Sequence, residues 1–179
     1  MRSALSLGWR LLCRTLYRFR WNAVADSAVA PDPVDSDCPL DVIFVMDESG
    51  SVDGGEFDEM KAFVSDLVGR LEVDGGYTRV GIVTYSNNVN TVINMNVHST
   101  TASLQAAING LTKGSGATYT DRALQHVRES KLTPAAGDRS DAPNVVVVLT
   151  DGQSTSPSNT QVCAARNLLR KHRRHILTV

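Results

Sequence analysis

Two apolar runs in this chain stop on an aspartate, and that pairing constrains the fold more than any other feature. "DVIFVMDESGSV" (41–52) ends its run on Asp47, and "NVVVVLTDG" (144–152) ends on Asp151. Continuous apolar runs of this length fit strands covered on both faces better than half-exposed ones. In an open α/β sheet, sites lie outside the carboxyl ends of the strands, where loops are free to vary. If the two strands are neighbours, both carboxylates emerge on one edge.

The segments between the runs fill in such a sheet. Phe57, Met60, Val64, Leu67, Val68 and Leu71 recur at three- and four-residue spacing, which predicts an amphipathic helix. Asp53 and Glu56 stand like a capping box at its start. "TRVGIVTYS" (78–86) predicts a second strand, and "NTVINMNV" (90–97) an edge strand with Ile93, Met95 and Val97 on one side. Leu104, Ala107, Ile108 and Leu111 mark a second helix, and a third is expected over 121–130. The last helix is expected over 159–173, followed by a strand in "HILTV". Strands alternating with helices argue for a mostly parallel, doubly wound α/β sheet with helices on both faces and one antiparallel edge strand.

Charge divides the chain in two. Residues 1–25 hold five arginines and no acid, while residues 26–179 hold 13 basic and 19 acidic groups. The head, with the Pro- and Asp-rich stretch after it, therefore reads as a targeting-like segment and linker over 1–37, ahead of one domain over 38–179. Arg10 and Arg14 interrupt the head's apolar run, so an imperfect secretory signal stands beside a mitochondrial presequence or a cytosolic tail. A net charge of -1 gives no case for nucleic acid, and no stretch approaches the ~20 apolar residues of a membrane span. Cys13, Cys38 and Cys163 are odd in number and show no metal-type spacing.

At the predicted sheet edge, Ser49 and Ser51 follow Asp47 at alternate positions, and the loop "TKGSGATYT" (112–120) offers Thr118 and Thr120. With Asp151 these make an oxygen-only donor set, suited to Mg²⁺, Mn²⁺ or Ca²⁺ rather than to zinc. Hydroxyl ligands leave the ion's charge partly unneutralised, so it retains affinity for an anionic oxygen from outside. Glu48 either shapes the rim of the site or is simply solvated, and the solvated reading is the simpler one. An enzyme is disfavoured: there is no phosphate-binding "GxxxxGK", no "GxSxG" elbow, and position 49 is serine where a Mg²⁺-dependent phosphatase would need a second acid. The four histidines form no triad and read as core or solvated residues. The basic cluster "RKHRRH" (170–175) offers a contact for a glycosaminoglycan, but cations at a helix C-terminus are more simply read as complementing its dipole.

"DESGS" (47–51) resembles the Asp-x-Ser-x-Ser signature of the von Willebrand factor type A (vWA) domain, "GATYTDRAL" (116–124) its threonine loop, and "VVVVLTDGQS" (145–154) its aspartate-bearing strand. The resemblance covers residues 38–179. It implies a Rossmann-like fold and a metal-ion-dependent adhesion site at Asp47, Ser49, Ser51, Thr118 and Asp151, completed by a partner's Glu or Asp. In the family the serines touch the ion directly and the aspartates often act through water. The family usually continues past "HILTV" with a further strand and closing helix, so the domain is expected to be incomplete at its C-terminus. The expected function is non-enzymatic: cation-dependent binding of an extracellular protein such as a collagen or another matrix component. The alternative is an intracellular vWA assembly module in a multiprotein complex.

Overall fold

The computed structural model describes residues 39–152, 154–163 and 174–179. The basic head, the linker, Cys13, Cys38 and residues 164–173 lie outside the described residues. A five-stranded sheet runs in the order β3-β2-β1-β4-β5, from β1 (Leu40–Asp47), β2 (Thr78–Tyr85), β3 (Val89–Ile93), β4 (Asn144–Leu149) and β5 (Arg174–Thr178). Three of the four pairings are parallel, and only β2 with β3 is antiparallel. This is the mixed, mostly parallel sheet predicted from the alternation of elements.

β1 is flanked by β2 and β4, so its backbone is hydrogen-bonded along both edges and all eight of its residues are buried. A continuous apolar run is what such a position requires. Each fully buried Val, Ile, Phe or Met contributes about 1.5–3 kcal/mol, enough for this strand to carry a buried acid at each end. Ile43 and Val45 point to one face, where they join Val83, Tyr85, Val146 and Val148 beneath Ala123, Leu124 and Val127. Val42, Phe44 and Met46 point to the other, on the side of the helix that follows β1.

That helix, α1 (Gly54–Val68), begins with the predicted capping box: Asp53 accepts from the Glu56 N–H and Glu56 from the Asp53 N–H, each at 2.8 Å. It buries Phe57, Val64 and Val68 and packs on α2 (Thr101–Asn109). The third helix, α3 (Thr120–His126), continues into a π-helical turn at Val127–Lys131, so the helical stretch overruns the expected 121–130 by one residue at each end. α4 (Pro157–Cys163) contacts α3 on the opposite face of the sheet from α1. The connections leaving β1 and β4 therefore diverge to opposite faces, which opens a crevice at the carboxyl ends of these adjacent strands.

Two expectations need correcting. The edge strand ends at Ile93 rather than 97; Met95 and Val97 lie in a turn, and Val97 is 60% exposed. Met95 is buried because its N–H docks on the Ala136 carbonyl and its side chain enters the core, so the alternation came from tertiary docking. The final strand also starts earlier than "HILTV", taking in Arg174 from the basic cluster. Among the described residues no helix is long and apolar enough to cross a membrane.

Candidate metal centre

Asp47 is the last residue of β1 and has no exposed surface. A buried carboxylate needs donors on both oxygens. Oδ1 accepts the backbone N–H of Ser49 at 2.9 Å, a turn closed by an aspartate two residues upstream. Oδ2 accepts the hydroxyls of Thr150 at 2.8 Å and Tyr85 at 3.3 Å. The turn sends the chain out of the sheet and brings Ser49 Oγ to 3.0 Å from Ser51 Oγ. Ser51 Oγ donates in turn to Asp151 Oδ1, on the loop after β4, at 3.3 Å.

Four of the five predicted residues are thus joined in one chain of contacts. Thr118 is brought alongside by the backbone: Gly50 N–H donates to the Gly116 carbonyl at 2.8 Å, and Thr155 N–H to the Thr118 carbonyl at 2.8 Å. Among the described residues no hydrogen bond links the Thr118 hydroxyl to the other four side chains. The threonine loop depends on Gly116, whose φ of 129° suits glycine and whose added Cβ would lie 2.6 Å from Asn87 Nδ2. Asn87 holds the loop by accepting the Ala117 N–H at 2.9 Å. Lys113 Nζ donates to the carbonyls of Ser49 (3.2 Å) and Gly114 (2.9 Å), fastening the two loops together.

Whether these residues suit a cation is decided by donor type and spacing. In six-coordinate Mg²⁺, with oxygens at about 2.0–2.1 Å, neighbouring ligands sit about 3 Å apart. The observed spacings of 3.0 and 3.3 Å match that edge. Among the described residues no cluster of three or more His, Cys, Asp or Glu side chains is arranged to hold a metal, because here hydroxyls supply part of the set. The donors fit a hard divalent cation.

Several contributors were not singled out in the sequence. Tyr85, paired in register with Asp47, resembles any core aromatic; its burial pushes the phenol up to about 12, and the Asp47 carboxylate adds to the shift. Thr150 had a signal, since it stands immediately before Asp151. Glu48 overturns the solvated reading: it is only 5% exposed and its Oε1 accepts Asn90 Nδ2 at 3.2 Å. It is enclosed because a Cβ on Gly114 would come within 2.8 Å of its carboxyl, so glycine there lets the loop close over it.

The family profile of the von Willebrand factor type A domain matches residues 41–179. The chain belongs to this family. Among vWA-containing relatives, the human collagen alpha-1(XX) chain is 33% identical over 130 residues, 73% of this chain and 10% of that protein. Mouse matrilin-1 is 36% identical over 137 residues (73% and 27%), and mouse vitrin 33% over 132 residues (72% and 20%). This vWA chain therefore spans a minor part of the curated relatives it matches. Among solved structures, proximal thread matrix protein 1 of the mussel byssus "with zinc occupied MIDAS motif" superposes with a TM-score of 0.72 at 26% identity, over 79% of this chain and 38% of that one. The manganese-loaded Plasmodium vivax TRAP protein shares the fold, with a TM-score of 0.67 at 16% identity over 80% and 58%. Asp47 and Asp151 thus lie at the adjacent strand ends of a vWA fold, as the two apolar runs predicted.

Proposed function

We propose that this chain is a non-enzymatic, divalent-cation-dependent protein-binding module of the extracellular matrix or cell surface. In this reading residues 38–179 form the module, and 1–37 a basic targeting-like segment and linker. The observation that carries the reading is the run of side-chain oxygens from Ser49 through Ser51 to Asp151, drawn from two strand ends and seated on a fully buried Asp47.

In this reading Ser49, Ser51 and Thr118 offer hydroxyls to Mg²⁺, or to Mn²⁺ or Ca²⁺, while Asp47 and Asp151 supply the negative charge. A bound cation would present uncompensated positive charge to a Glu or Asp carboxylate of a partner protein. The chain's own part is to hold the oxygens in place. Asp47 is fixed by three donors, Ser49 has no exposed surface, and Thr118 is held through its backbone on both sides. Ser51 and Asp151 are exposed, so the site opens outward. The kinship with collagen, matrilin and vitrin chains supports a matrix setting and a matrix protein, such as a collagen, as partner.

The test is titration calorimetry with Mg²⁺ and Mn²⁺, then solid-phase binding to a panel of fibrillar and network collagens with Mg²⁺ or with EDTA. Asp47→Ala and a Ser49→Ala/Ser51→Ala double variant should lose cation binding and collagen binding together. Binding that survives EDTA and both variants would refute the mechanism.

A further inference from the structure

The charge of Asp47 is buried, so its orientation depends on the donors facing it. Two of these are hydroxyls on Oδ2, from Thr150 and Tyr85. A phenol carries a single proton. With that proton given to Asp47, Thr120 Oγ1, 3.2 Å from the phenol oxygen, must be the donor in the remaining contact. The result is a relay running one way, from Thr120 to Tyr85 to Asp47, whose hydrogen bonds polarise one another in the same sense. It joins three elements: the first residue of α3, the last of β2 and the last of β1. Thr120 is two residues beyond Thr118, so the relay connects the threonine loop to the aspartate at the end of the central strand.

Tyr85 has no exposed surface and belongs to the buried apolar cluster that also holds Val45, Ala123, Leu124 and Val148, so its hydroxyl is not available to a partner protein. Packing alone does not account for the hydroxyl, since phenylalanine would fill the same apolar space. Resting on the reading of the site given above, we propose that Tyr85 is a positioning residue of the cation site. Its hydroxyl fixes the Asp47 carboxylate and ties it to the threonine loop, so that both are in place before an ion arrives.

The experiment uses the full chain, with Mn²⁺ and Mg²⁺ affinities from titration calorimetry and thermal unfolding in EDTA and in Mn²⁺. Tyr85→Phe is expected to weaken cation affinity about ten- to a hundred-fold, the usual effect of removing a partner that orients a ligand. The rise in Tm produced by Mn²⁺ should shrink accordingly. Ile108→Ala, a core truncation under α2, is the control: it should lower the Tm in EDTA and leave the affinity unchanged. Thr120→Val cuts the first bond of the relay and keeps the second, so its loss should be smaller but measurable; it carries the test if Tyr85→Phe does not fold. Wild-type affinity in a folded Tyr85→Phe or, failing that, in Thr120→Val, would overturn this inference and leave the site reading standing. An equal affinity loss in Ile108→Ala would overturn it too, by showing a general effect of destabilisation. A wild-type chain that binds neither ion would overturn the site reading and this inference together.

Discussion

Replacing Arg139 with Met should separate what holds the sheet from what forms the site. Arg139 lies in the loop before β4, and its guanidinium reaches Asp41 at the start of β1 at 2.8 Å. It also donates to the carbonyls of Leu40, Tyr77 and Gly76, at 3.0, 2.7 and 3.0 Å. Asp41 has no exposed surface. Removing one partner of a buried ion pair leaves a charge without compensation and typically costs about 3–5 kcal/mol. The lower end, about 3 kcal/mol, is expected because the backbone N–H of residue 139 still donates to Asp41 Oδ2 at 2.7 Å. For a chain of this size that is a fall in Tm of roughly 6–12 °C.

The pH dependence follows from the same carboxyl. Burial raises the pKa of Asp41 above its ordinary 3.8, and the hydrogen bonds and charge of Arg139 oppose that rise without cancelling it. A raised carboxyl favours the fold in its protonated form, so its contribution is complete below 3.8 and is lost as pH rises through the folded value. Without the guanidinium the folded value rises further, so the deficit of Arg139→Met should grow from pH 4.5 to pH 7.5. Urea unfolding at both pH values measures this, and the Asp41→Asn/Arg139→Met double variant should recover more than half of the loss at pH 7.5. Asp41 and Asp47 are six residues apart on one extended strand, about 20 Å, so the Mn²⁺ affinity of folded Arg139→Met should equal that of the wild type. A deficit under about 1 kcal/mol at pH 7.5, or one no smaller at pH 4.5, would refute the argument.

Two further outcomes are expected. Gly116→Ala places a Cβ 2.6 Å from Asn87 Nδ2 at a φ of 129°, so it should displace the threonine loop, cost about 1–3 kcal/mol and weaken Mn²⁺ binding about ten-fold by calorimetry. Gly152→Ala meets no atom within 4 Å and should do neither. In an ultraviolet titration of the tyrosines, one should ionise late, at about 12, and Tyr85→Phe should abolish that step. Because the folded phenol is raised above 10.0, its contribution to stability is complete below pH 10 and is lost on the way to 12, a slope that Tyr85→Phe should flatten.

What could be read from the chain before the fold was known divides by the range of the interactions concerned. The Asp53–Glu56 capping box is a contact over three residues, so spacing and residue type suffice to predict it. The burial of β1 and β4 was legible because a strand between two neighbours must be apolar on both faces, and the aspartates stood out by ending such runs. Met95 defeated the same logic, since it is buried through a contact with residue 136 that its neighbours in sequence do not encode. The burial of Glu48 is hidden for a related reason: a charge beside a loop is normally solvated, and only the approach of Asn90 and Gly114 encloses it. Tyr85 was the least legible, because an aromatic residue at a strand end is explained well enough by packing, and its register with Asp47 exists only in the assembled sheet.

The local and the distant parts meet at Asp47. Its own sequence neighbourhood supplies one donor, the Ser49 N–H, and that contact alone would leave Oδ2 buried and unpaired. The other two donors come from residues 38 and 103 positions away, on the strands that flank β1 in the sheet or just beyond their ends. A burial cost of several kcal/mol for an unpaired ion is therefore offset only once β2 and β4 have both docked. The residue that most clearly marks the site in the sequence is thus one the chain can keep charged and buried only after the sheet is complete. Serines presented by that aspartate's turn acquire a defined spacing at the same step, which is why formation of the central sheet and assembly of the oxygen set should be a single event.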